Sequence, residues 1–195
     1  LRVDNSPAMT NQSRRWIVLK FGGTSVSSAK NWATIASILR DRVSEGYRPV
    51  VVHSALSGVT TALEAVAVAA LTRTHQPLIT EIDERHEKLA ADLGLSPDDT
   101  VELLRPARAE LREVAEGIAL VGELTPRTRA RLLALGERLA TRLGAAYLAS
   151  QGLPITWFDA RDFMASLEGR PGSEQAAYLS AECSAEADPD LVARF

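Results

Sequence analysis

The apolar positions of this chain switch between a run, a helical stripe and a second run within its first fifty residues. Trp16 to Leu19 is a short continuous apolar stretch, the pattern of a buried strand. From Ala29 to Glu45 the apolar residues Trp32, Ile35, Ala36, Leu39 and Val43 recur at helical spacing, with Ser27 or Ser28 placed to cap the start and Gly46 to end it. Pro49 then introduces Val50-Val51-Val52-His53, a β-branched run that reads as a second buried strand. Strand, helix, strand in this order predicts a right-handed βαβ unit with parallel strands. Helical pattern then dominates from Thr61 to Leu148, in segments Thr61–Arg73, Leu78–Leu93, Val101–Val121 and Arg129–Leu148. Pro97 with Asp98 and Asp99 suits a first turn, Pro106 predicts a kink or a later start, and Thr125 or Thr128 is placed to cap the last helix. Long neighbouring helices of this kind predict an antiparallel hairpin over or beside the sheet. Gly152-Leu153-Pro154 turns the chain into Ile155–Phe158, a third strand. Gly169–Gly172 reads as loop, Ala176–Ser180 as a short strand and Asp188–Phe195 as the start of a helix.

Candidate chemistry gathers at two turns and one helix. The first strand runs into Lys20-Phe21-Gly22-Gly23-Thr24-Ser25, and a helix follows. That geometry presents backbone N–H groups to an anion, with a lysine at the carboxyl end of a strand. The glycines follow the lysine, so this is neither a Walker A loop nor GxGxxG, and spacing alone leaves a phosphate cradle and a plain strand-to-helix turn both open. The second strand runs into Ser54-Ala55-Leu56-Ser57-Gly58-Val59-Thr60-Thr61 on the same sheet edge. Two such loops make a floor for a polar ligand, although Ser57 and Thr60 also suit a simple helix cap. On a helical wheel Leu132, Leu133, Gly136, Leu139, Ala140, Leu143, Gly144 and Tyr147 share one arc, with Arg131, Arg138 and Arg142 opposite. Glu137 falls inside the apolar arc, where a carboxylate needs a partner. That partner is a basic side chain elsewhere in the chain, or a ligand or another backbone reaching the gap beside Gly136, Ala140 and Gly144. Asp159 and Arg161 read as a capping and ion-pair set, and His75 and His86 as surface residues outside any metal-ligand spacing.

Composition narrows the classes. A hydrophobic share of 46% with 24% charged residues suits an ordinary soluble globular chain of one or two domains. The net charge of −3 gives no nucleic-acid footprint, and no apolar run approaches the roughly 20 residues of a membrane span. A single cysteine, Cys183, fits a small packed side chain in a reducing cytoplasm. Residues 1–15 are polar and without period and read as a disordered arm or an expression remnant, leaving 16–195 as the folded portion.

The string Lys-Phe-Gly-Gly-Thr-Ser-Val-Ser at Lys20–Ser27 closely resembles the signature that opens aspartate kinases, in the amino-acid kinase family. Three weaker strings follow in the right order: Ser54-Ala-x-x-Gly58-x-Thr60, Gly136-Glu137 on its helix, and Trp157-Phe-Asp-Ala-Arg161. The resemblance implies a three-layer α/β/α sandwich with a mainly parallel central sheet, here incomplete at its C-terminal end and carrying a long helical block. It implies transfer of the ATP γ-phosphoryl group to the side-chain carboxylate of L-aspartate, an early step toward lysine, threonine and methionine. Lys20 would neutralise charge on the transferred group. Phe21, Gly22, Gly23, Thr24 and Ser25 would hold phosphate oxygens, and Ser54, Thr60 and Glu137 would orient aspartate. Magnesium would arrive with ATP, with no protein metal cage and no tightly bound cofactor.

The same resemblance implies a homodimer in the full-length protein and no nucleic-acid or membrane partner. In the family a Gly-Arg-Gly-Gly-Ser-Asp-like loop follows, carrying a catalytic aspartate, and then the segments that hold adenine. The nearest fragment here, Glu168-Gly169-Arg170-Pro171-Gly172, does not match it. The chain therefore reads as the amino-terminal, substrate-binding portion of a kinase, inactive by itself. Some members of the family are fused to a homoserine dehydrogenase or a diaminopimelate decarboxylase, and the Arg/Ala-rich character of this chain permits the latter. A non-catalytic binding and dimerising half, or a sibling kinase acting on glutamate, acetylglutamate, carbamate or uridylate, are the alternatives.

Overall fold

The computed structural model describes residues 15–162 together with Met164, Ser173 and Tyr178. The arm expected at 1–15 is corrected at Arg15, which pairs with Tyr47 in the first strand, and its other residues lie outside that set. The loop expected at Gly169–Gly172, Cys183 and the helix expected at Asp188–Phe195 also lie outside it, and of the strand expected at Ala176–Ser180 only Tyr178 is described, as helical. Strand β1 (Arg15–Phe21) passes through a one-turn 3₁₀ helix (Gly23–Val26) into α1 (Ala29–Ser44), and the chain returns as β2 (Tyr47–His53). The two strands pair in parallel, with Lys20 opposite Val52 and Phe21 opposite His53. Ser28 caps α1 by accepting the Asn31 N–H, and Gly46 leaves it with φ of 84°. β2 begins three residues before the apolar run and includes Pro49, opposite Ile17. β2 lies at an edge of the described sheet, and an edge strand tolerates the N–H that proline lacks.

Helices cover one face of this strand pair. Leu19, Phe21 and Val51 pack into the core on that face, and His53 is buried there. The opposite face carries Trp16, Val18, Val50 and Val52 exposed, with the Arg48 guanidinium stacked 4.2 Å over the Trp16 ring. The second helical layer of the expected sandwich is not among the described residues. The expected third strand is also corrected. Residues 153–159 alternate half-buried and exposed, the period of a strand, but carry no strand ladder among the described residues. Alternation reports which side chains face inward, and a strand also needs a backbone partner.

Four helices follow β2: α2 (Val59–Ala70), α3 (Gln76–Asp92), α4 (Pro97–Val121) and α5 (Pro126–Ser150). α4 starts at Pro97, capped by the Ser96 side chain, and runs unbroken through Pro106. The expected later start is therefore not seen. Pro106 is on the exposed side, where water can take the carbonyl that its missing N–H leaves free. α5 is capped by Thr125 and lies at the centre of the core, with Leu132, Leu135, Leu139 and Leu143 fully buried.

His75 and His86 are buried, at 2% and 0% exposure, which corrects the surface placement. His75 fills the turn before α3 and bonds Glu116 through Nε2 at 3.2 Å. His86 continues the inward stripe of Ile79, Ile82 and Leu89, and its Nδ1 donates to the Ile82 carbonyl at 2.7 Å. Nearby, Asp83 pairs with Arg108 at 2.9 Å and also with Arg112, tying α3 to α4.

Burial pushes the His86 imidazole down to about 4 from 6.5. The unfolded chain takes up its proton below pH 6.5, whereas the folded chain resists until about pH 4. Stability is thus complete above pH 6.5 and is lost as the pH falls toward 4, by about 3 kcal/mol. Between pH 7 and pH 4 the unfolding free energy of the native sequence should fall by about 3 kcal/mol more than that of His86→Leu. Urea titrations at both pH values measure this, and parallel losses would remove His86 as the cause.

Candidate active site at the two strand-end loops

Both strands end at the same edge, and their loops meet backbone to backbone. A Cβ on Gly23 would stand 2.8 Å from the Ala55 carbonyl oxygen and 3.3 Å from the Ser57 nitrogen, so only glycine permits this approach. Ser27 joins the loops: its Oγ donates to the Gly23 carbonyl at 2.6 Å and accepts from the Ser57 N–H at 2.8 Å. The Ser54 N–H donates to the Phe21 carbonyl at 3.2 Å. Asn31 closes the far side by donating to the Thr24 carbonyl at 3.1 Å. Gly22 differs from Gly23, because a Cβ there would meet nothing within 4 Å and its φ of −81° suits any residue. The space above its backbone is open.

α5 brings Glu137 to this corner. Gly136 makes that possible: a Cβ there would lie 2.9 Å from the Ala55 Cβ and 3.1 Å from Leu63 Cδ1. The half-buried Glu137 accepts the Ala55 N–H at 3.4 Å. Among the described residues it forms no ion pair, so the basic partner allowed by the helical pattern is not found there. Arg138 takes a different course from the solvent-facing side assigned by the wheel. Its side chain is 14% exposed and engages Glu110 of α4 and Asp159 after α5. Asp159 also receives both the side chain and the backbone N–H of Arg161. These bonds from Arg161 hold the Asp159 carboxyl below its ordinary range, which fits the capping and ion-pair expectation.

Phe21 to Ser25, Ser54 and Glu137 therefore meet at one corner, through the Ala55 backbone. Lys20 is not brought into this group: it stands at the outer rim, exposed on the uncovered face of β1 with Trp16 and Val18, whereas Glu137 enters from the helical face, and it forms no ion pair among the described residues. Thr60 is exposed in the first turn of α2. That helix begins after Gly58, in a left-handed conformation with φ of 80°, without a side-chain cap, so Ser57 and Thr60 are not spent on capping. The corner is an open surface. A cavity of about 420 Å³ between α4 and the start of α5, and one of about 190 Å³ beside His75 and Glu116, contain none of these residues. No group of three or more His, Cys, Asp or Glu side chains among the described residues is arranged to hold a metal ion. No described helix is long and apolar enough to cross a membrane.

Two residues of this corner were not legible as such in the sequence, Ser27 as the tie between loops and His53 as its buried floor. His53 closes the β-branched run of β2, and a polar residue ending such a run was the available signal.

The amino acid kinase family model matches residues 15–184. Aspartokinase 1 of Arabidopsis thaliana chloroplasts is 34% identical over 167 residues, covering 82% of this chain and 28% of that protein. The aspartokinase of Chlamydia trachomatis is 36% identical over 155 residues, covering 78% of this chain and 32% of its own. The chain thus spans between a quarter and a third of the length of these relatives. Among solved structures, E. coli aspartokinase III in complex with aspartate and ADP superposes with a TM-score of 0.67 at 25% identity, covering 80% of this chain and 33% of that one. The same enzyme with lysine and aspartate gives 0.69 at 23% identity, covering 87% and 35%, and supports the fold alone. By its strand-helix-strand opening, its loop corner and these matches, the chain belongs to the amino acid kinase family.

Proposed function

We propose that the full-length protein is an aspartate kinase and that residues 15–162 carry its amino-acid side. The observation that carries this reading is Glu137, a half-buried carboxylate with one long backbone bond and no cation of its own among the described residues. Such a group suits a substrate ammonium. The relatives are aspartokinases, and one structural neighbour was solved with aspartate and ADP.

In this reading the ammonium of L-aspartate pairs with Glu137, while Ser54 and Thr60 orient its polar groups. An oxygen of its side-chain carboxylate attacks the γ-phosphorus of MgATP. The bond from that phosphorus to the β–γ bridging oxygen breaks, ADP leaves with the electron pair, and an acyl phosphate forms. Such transfers depend on positioning and charge neutralisation. Lys20 at the rim supplies a mobile ammonium for the transferred group. The open backbone at Gly22, with Thr24 and Ser25, leaves room for phosphate oxygens to approach. Magnesium enters as part of the nucleotide substrate. The chain's share of its relatives' length supports a further part of the reading: these residues alone bind substrate without turning it over.

Glu137→Gln tests the ammonium role. The amide keeps an oxygen for the Ala55 N–H and loses the charge. The KM for aspartate should rise about 30-fold, the worth of a charge-assisted hydrogen bond, with the KM for ATP unmoved. An unchanged aspartate KM would remove Glu137 from the site.

A further inference from the structure

β2 ends on His53, a buried imidazole that the proposed reaction leaves unused. Its Nδ1 lies 3.0 Å from the Ser54 carbonyl oxygen. A carbonyl only accepts, so Nδ1 carries the proton and donates it. The next atoms along the chain make this contact consequential. The Ser54 carbonyl and the Ala55 N–H belong to one planar peptide unit and point in opposite directions. The Ala55 N–H is the group that Glu137 accepts, at 3.4 Å. One peptide is thus gripped at both ends, its oxygen by His53 and its N–H by Glu137. Donation to the oxygen also polarises the N–H toward the carboxylate.

The ring itself is held. Its centroid is 5.3 Å from that of Trp32, edge-on at 81°. Trp32 is wholly buried and locked by its indole N–H on the Val26 carbonyl at 2.8 Å. Gly144 of α5 closes the other side, where a Cβ would come within 2.9 Å of His53 Nε2. Burial lowers the His53 pKa, which favours the neutral ring with one N–H, while the Ser54 carbonyl and the charge of Glu137 act against that shift.

We propose that His53 is a positioning residue for the amino-acid site: by clamping the Ser54–Ala55 peptide it fixes the N–H that orients Glu137. The role rests on the proposed aspartate site and adds a residue that touches no substrate. Without the Nδ1–H the peptide loses the bond that fixes its oxygen, the Ala55 N–H loosens from Glu137, and the direction of the carboxylate is less fixed.

The test compares His53→Leu with His53→Asn in the full-length protein, since the asparagine amide restores a donor near the Nδ1 position. His53→Leu should raise the aspartate KM about tenfold with kcat and the ATP KM within twofold, and His53→Asn should return it to within about threefold of the native value. Amide hydrogen exchange at Ala55 should quicken at least tenfold in His53→Leu and recover in His53→Asn. Equal aspartate KM in the native protein and His53→Leu would overturn the clamp. So would equal losses in both variants that track a fall in thermal stability, because packing alone would explain them. If the native protein phosphorylates no aspartate, the proposed function fails, and the Ala55 exchange rates alone decide for or against the clamp.

Discussion

Lys20→Ala in the full-length protein should lower turnover roughly 10³-fold while leaving the fold intact. The two halves of that expectation come from different observations. Lys20 is exposed and makes no ion pair among the described residues, so its removal costs the folded state little, within about 0.5 kcal/mol. The proposed reaction gives this side chain, at the carboxyl end of the first strand, a use outside the resting chain. In phosphoryl transfer that use is charge neutralisation on the moving group, and a single well-placed cation or donor is worth two to five orders of magnitude. Steady-state kcat and a denaturation curve, measured side by side, check both halves. Turnover near the native value would remove Lys20 from the chemistry.

Gly144→Val should clearly destabilise the core of α5. A Cβ at this position would sit 2.2 Å from Trp32 Cη2, 2.8 Å from Trp32 Cζ2 and 2.9 Å from His53 Nε2. Neither ring has room to retreat, because Trp32 is wholly buried with its indole N–H bonded and His53 is bonded to Ser54. Replacing glycine inside a helix ordinarily gains up to about 1 kcal/mol, but overpacking a closed core costs about 1–3 kcal/mol or more. The steric cost wins here, and with a β-branched side chain the net loss should be about 2 kcal/mol, or roughly 4–8 °C in the domain's thermal midpoint. Gly117 of α4 is the internal control, since a Cβ there meets nothing within 4 Å. Gly117→Ala should be neutral or stabilising by up to about 1 kcal/mol. Thermal melts of both variants measure the contrast, and equal midpoints would show that α5 can move away from Trp32.

Local pattern carried the fold where one element's burial decides its own outline. The stripe from Trp32 to Leu39 located α1, and Ser28 and Thr125 set helix starts because a cap is a short-range bond. The string from Lys20 to Ser27 located the first loop, and Gly136 with Gly144 marked the face of α5 that others approach. Partnerships across the chain were not visible in this way. Residues 155–158 show the period of a strand, but only a neighbouring backbone makes one. Arg138 turns inward because Glu110 waits on α4, a fact absent from the pattern of α5 alone. Glu137 left a basic side chain, a ligand or another backbone open on the wheel, and a backbone group, the Ala55 N–H, is the one the structure supplies. His86 was legible and misjudged: it completes the stripe of Ile79, Ile82 and Leu89, and its polarity hid its place in that stripe.

The assignment of the amino-acid site is tested most directly by offering the full-length protein MgATP, hydroxylamine to trap an acyl phosphate, and each acceptor in turn. L-aspartate should yield a hydroxamate at a rate at least about 100-fold above glutamate and acetylglutamate, and should drive ADP release at least about 100-fold faster than carbamate or uridylate, since a site built to pair a substrate's charged groups rejects analogues that leave them unmatched. Trapping with glutamate or acetylglutamate at a rate equal to or above that with aspartate, or ADP release with uridylate alone, would contradict the account.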